Sequence, residues 1–184
     1  VETSVGGAIY GNNIKSYGTT FNDNTAITNG GAIYGTNLIA SESTFDGNIA
    51  NVGGAVYTTG LVNISDSAFK NNIALSNGCA IFGSTSSTIS VSESNFTNNT
   101  ATNGGAIFES DNSNVNIFNS NFDKNIAISN GGAIYGAMTN KLSVSKSNFT
   151  DNVANMGAAI YETKNIDVND SIFINNTVST IYMG

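Results

Sequence analysis

Gly6-Gly7-Ala8-Ile9-Tyr10 decides how this chain is read, because it comes back. It recurs as Gly30-Gly31-Ala32-Ile33-Tyr34, as Gly53-Gly54-Ala55-Val56-Tyr57 and as Gly78-Cys79-Ala80-Ile81-Phe82. Three more copies open at Gly104, Gly131 and Gly157. A second word, Phe-x-x-Asn, alternates with the first. It pairs Phe21 with Asn24, Phe45 with Asn48, Phe69 with Asn72, Phe96 with Asn99, Phe122 with Asn125, Phe149 with Asn152 and Phe173 with Asn176. The chain is seven copies of one unit spaced 23 to 27 residues apart. A period in that range marks a repeat architecture.

Composition narrows the function classes. The 184 residues are 40% hydrophobic and include no Pro, Trp, His, Arg or Gln, and only 10% are charged. So polar and uncharged a chain could be disordered, but a disordered segment has no reason to hold Ile, Ala and Phe in register. The formal charge is −7 and the six lysines are scattered. Nucleic acid needs clustered basic residues, so it is excluded as a partner. The same count disfavours an anionic membrane surface. Cys79 is the only cysteine, which rules out a disulfide framework or a thiolate metal site. It stands where other copies have Gly and reads as a small buried residue. No apolar run approaches the roughly 20 residues of a spanning helix. No targeting segment is visible, and the chain starts and stops within repeat sequence. It is expected to be a single β-helix domain, 1–184, cut from a longer repeat protein.

The residues before each Phe show how the unit folds. Seven positions earlier stands Ile14, Leu38, Val62, Ile89, Val115, Leu142 or Ile166, always aliphatic. Five earlier the residue is nearly always apolar, and two earlier it is always Ser or Thr. Apolar–polar alternation rich in β-branched residues is a strand signal. The change of phase between the last two columns implies a bend. After Phe-x-x-Asn comes Ala in six copies and Val178 in the last, then turns such as Asn29-Gly30 that tolerate positive φ. Helices are disfavoured throughout by Gly, Asn, Ser and Thr.

Such a unit cannot bury an apolar face alone, but stacked copies can, with each strand pairing in parallel to its counterpart in the next coil. The expected fold is all-β: a right-handed parallel β-helix of about seven coils, with three short strands per coil. Its handedness rests on the preference for right-handed crossovers. The Phe column should fill the core. Asn24, Asn48, Asn72, Asn99, Asn125, Asn152 and Asn176 should form an amide ladder at an inner corner, where backbone groups otherwise lack partners. Insertions such as Ser84–Ser87, Asp111–Asn114 and Ala137–Asn140 fall just after the aromatic of the glycine word. In solenoids such insertions form loops along one edge, often the binding edge.

The alternation of Gly-Gly-Ala-[Ile/Val] with Phe-x-x-Asn resembles the repeats of chlamydial polymorphic outer-membrane-protein autotransporters. The Asn- and Ile-rich context is equally similar to the adhesin-like surface proteins of methanogenic archaea. The resemblance covers nearly the whole chain. It implies a right-handed β-helix on a secreted cell-surface adhesin and carries no catalytic residues. The autotransporters' membrane barrel has no counterpart in this sequence.

Each candidate site has a bland alternative. The aromatics Tyr10, Tyr34, Tyr57, Phe82, Phe108, Tyr135 and Tyr161 could be an outward binding face for sugar rings or a partner surface. They could equally stabilise the sheet by stacking, or point inward. Both their column and the Ile column are apolar, so alternation leaves the choice open. Carboxylates recur three before the Phe, at Glu42, Asp66, Glu93 and Asp170. β-Helices host pectin-degrading enzymes and paired carboxylates cleave glycosides, but without Arg or His nearby these are expected to be solvated. The Gly-Gly-x-Gly-x-Asp calcium pattern is absent, and no cofactor or metal is expected. Among the sequons, Asn95 and Asn148 flank the Phe column and should point outward, which makes them the favoured glycan acceptors.

The expectation is therefore a non-enzymatic, extracellular, cell-surface adhesin segment. Its partner would be a surface glycan or protein of a host or neighbouring cell, met through a lateral face and the inserted loops. The alternatives are a filament or stalk spacer self-associating through its coil ends and, more weakly, a polysaccharide-processing β-helix.

Overall fold

The computed structural model describes residues 4–136 and 138–179. It is all strand and turn, and every strand pair is parallel, in register except for one shift in the Ala sheet between Ala101 and Asn103. Three sheets run along the stack. One of twelve strands carries the glycine word and the aliphatic segment, one of seven carries the Phe, and one of six carries the Ala. The chain is a parallel β-solenoid. Counting words gives seven rungs, but the six-stranded Ala sheet closes only about six turns. In the first two coils the glycine word and aliphatic segment form single strands, Ile9–Tyr17 and Ile33–Ser41. Later coils split there, as in Val56–Thr58 and Leu61–Ser65, because inserted residues break the ladder.

The columns explain the stack. Phe45, Phe69, Phe96, Phe122 and Phe149 are fully buried, with neighbouring rings 4.5–4.9 Å apart. That spacing matches the rise between parallel strands, so stacking costs the backbone no distortion. Ile33, Val56, Ile81, Ile107 and Ile134 are also buried. The corners are closed by side chains. Asn48 donates from its backbone N and from Nδ2 to Asn72 Oδ1, each at 3.0 Å, and its second Nδ2 hydrogen goes to the Phe21 carbonyl. The same arrangement continues at Asn72, Asn99, Asn125 and Asn152. A serine ladder serves the preceding bend: Ser67 N donates to Ser94 Oγ, and Ser67 Oγ donates to the Ser65 carbonyl. Buried backbone groups at both corners thus find partners.

The glycine word is set by crowding. Gly53 has φ +63°, and a methyl on Gly54 would stand 2.6 Å from the backbone oxygens of Ile73 and Cys79. Positive φ and close backbone approach together select Gly.

Candidate functional site

Parity along the first sheet decides which way the aromatics face. Ile33 and Gly35 are buried and Tyr34 between them is not, so the column Tyr10 to Tyr161 stands on the outer surface. Its seven rings form one unbroken stack, with centroids 4.8–5.4 Å apart and planes within 12° of parallel. The rings face outward and also stabilise the sheet by stacking. Their faces cover one another, so the column offers ring edges and phenolic hydroxyls rather than flat platforms. Tyr10 is the most open at 70% exposure, and Phe108 is the most covered.

The inserted loops lie beside this ladder, two or three residues further along the chain. Ser86 N donates to the Asp111 carbonyl and Asn112 N to the Met138 carbonyl, each at 3.1 Å, so the loops stack coil on coil as a ledge. Ala137 of the third insertion lies outside the described residues. Ladder and ledge are electrostatically joined at Tyr135. Its hydroxyl pKa is raised, mainly by burial, then by Tyr161, Asp111 and Glu162. Burial likewise raises that of Tyr34, followed by Tyr57 and Tyr10.

Beneath the ledge is a group that sequence reasoning passed over. Glu109 is completely buried, its Oε1 accepts a 2.6 Å hydrogen bond from Ser87 Oγ, and its Oε2 has no hydrogen-bond partner. The carboxyl leans back into the preceding coil, over Gly83, where a methyl would collide with it. Burial pushes its pKa up to about 8, against the opposing pull of Ser87 and Ser113. The arrangement recurs once: Glu162 leans over Gly136 and accepts from Thr139 Oγ1. The available signal is parity, since Glu109 shares the inward phase of Ile107.

The other candidates are dispersed. Glu42, Asp66, Glu93 and Asp170 are exposed and have φ between +49° and +52°, so they are corner residues of the bend, successive along the stack and not paired across a cleft. Asn95 and Asn148 are exposed on the Phe sheet, within an outer amide ladder. Asn121 Nδ2 donates to Asn95 Oδ1, and Asn148 Nδ2 donates to Asn121 Oδ1, each at 2.9 Å. The Asn148 amide nitrogen, the atom a glycan would be attached to, is therefore engaged as a donor, whereas Asn95 contributes only its oxygen. Cys79 is buried, donates to the Asn72 carbonyl and receives Thr100 N at 3.2 Å. Among the described residues no cluster of three metal-ligating side chains exists, and no helix is long and apolar enough to cross a membrane.

No curated protein and no solved structure matches the chain. The Chlamydia polymorphic membrane protein repeat does match, over residues 18–36, 42–59, 93–108 and 119–137. These stretches hold the Phe-x-x-Asn words at Phe21, Phe45, Phe96 and Phe122 and the glycine words at Gly30, Gly53, Gly104 and Gly131. Four stretches of the parallel β-solenoid, together under half of the chain, are thus similar to the Chlamydia polymorphic membrane protein repeat.

Proposed function

We propose that the chain is an extracellular, cell-surface segment of an adhesin-like protein, the passenger part of an autotransporter-type molecule. Its binding edge is where the outward aromatic ladder meets the loop ledge, and its partner is a glycan or protein of another cell surface. The edge carries the reading, because there insertions, ring edges and tyrosine hydroxyls converge on one side of an otherwise regular rod. The role is one of binding and not catalysis: the recurrent carboxylates are solvated corner residues. Labelling of intact, unpermeabilised cells with an antibody to this repeat tests the placement. Labelling of intact cells is the expected result, and labelling only after permeabilisation would refute it.

A second reading is a stalk or filament in which coils of neighbouring chains stack end to end. It rests on the repeat itself: each coil pairs with the next through the same parallel registers, so the ladders can continue from one chain to another. Fibres one coil wide in negative stain would support it.

A further inference from the structure

The three faces of the solenoid differ in charge. The outer surface of the first sheet carries Lys15, Lys141 and Asp167, and that of the Phe sheet carries Asp46, Lys70 and Asp123. The six strands of the Ala sheet hold no Asp, Glu or Lys. Their outward column runs through Ile49, Ile73, Thr100, Ile126 and Val153. Ile27 and Leu75 stand beside it at 65% and 71% exposure. Flat, β-branched and uncharged, this is the composition of an interface core and not of a solvated surface.

We propose that this face is the contact between two copies of the chain, packed side by side. Two observations select a second copy as the occupant. Two copies of net charge −7 repel each other, and of the three sheet faces this is the one whose described strands carry no charge, Asp23, Lys124 and Asp151 standing at its edge two residues before the outward column. A second solenoid also repeats its side chains at the same rise of about 4.8 Å, so one interdigitated contact recurs at every rung. Six strands make a face about 29 Å long and about 13 Å wide. A pair would bury roughly 800–1,200 Å² in total, in the weak and reversible class. Such contacts suit molecules arrayed densely on a surface, where local concentration is high. The contact is distinct from the ladder edge and from the coil ends.

Sedimentation equilibrium of the chain from about 10 µM to 1 mM tests the proposal, that being the affinity range of interfaces this small. The expected result is a monomer–dimer equilibrium that weakens at least tenfold in Ile73→Lys/Ile126→Lys. Asn95→Lys/Asn121→Lys, on the Phe sheet, should leave it unchanged. All four positions point outward, and an unchanged far-ultraviolet circular dichroism spectrum confirms the fold of each variant. A wild-type chain monomeric throughout, or association surviving Ile73→Lys/Ile126→Lys, would overturn it. Monomers that instead cosediment with phosphatidylcholine vesicles through these isoleucines would overturn it in favour of a lipid surface.

Discussion

Replacing Glu109 with Gln should change how the fold responds to pH. The wild-type carboxyl titrates at about 8 in the folded chain and at its ordinary 4.5 in the unfolded one. Below pH 4.5 both states hold the proton, and the group has no effect on stability. Between 4.5 and 8 the unfolded chain releases a proton that the folded chain keeps, so stability falls by about 1.4 kcal/mol per pH unit. At pH 7 the accumulated loss is about 3 kcal/mol, and above pH 8 it levels off. Glutamine keeps an acceptor for Ser87 Oγ but cannot ionise. Any fixed cost of burying its amide appears equally at every pH, so the slope is the readout. Urea unfolding at pH 4, 5.5, 7 and 8.5 should show the variant's advantage growing by a few kcal/mol across the series. Parallel stability profiles for the two proteins would refute the reasoning and place the carboxyl in contact with water.

Further outcomes follow from the ladders and the buried thiol. Asn99→Ala removes the acceptor of Asn72 N and Nδ2 and the donor to the Phe69 carbonyl. Chemical denaturation should show a loss of about 3–5 kcal/mol, since each buried orphan costs about 1–3 kcal/mol. Phe96→Ala opens a hole between Phe69 and Phe122 and should cost about 3–5 kcal/mol in the same assay. Cys79 is fully buried and its thiol pKa is raised by that burial. It should resist a thiol-reactive disulfide reagent in buffer and react at once in denaturant.

Much of the fold could be read from the two words. Phe-x-x-Asn sets an inward ring and, three residues on, an inward amide at a corner, because both must recur at the strand rise to find their partners. The bend before the Phe was also legible, but the physical reason for its residues was not. Glu42, Asp66, Asn119 and Lys146 share one left-handed backbone position, and nothing in their side chains announces a common φ. The direction of the tyrosines stayed open because the neighbouring Ile column is equally apolar, and only burial separates them. Glu109 was hidden by the habit of reading a carboxylate as solvated, although Gly83 leaves it room and Ser87 gives it a partner. The uncharged face is not announced by the sequence, because its outward column of Ile49, Ile73, Thr100, Ile126 and Val153 lies one residue from the inward Ala and is as apolar as a core column.

The proposed recognition surface is one lateral edge of the rod. The most direct test is binding of the purified chain to intact cells, comparing substitutions on the ladder, on the ledge and on the Phe sheet. Tyr34→Ser/Tyr57→Ser on the ladder and Asp111→Ala/Asn112→Ala on the ledge should abolish binding, and Asn95→Ala/Asn121→Ala on the Phe sheet should leave it intact. Equal binding by all the variants, or loss only with the Phe-sheet substitutions, would contradict the account.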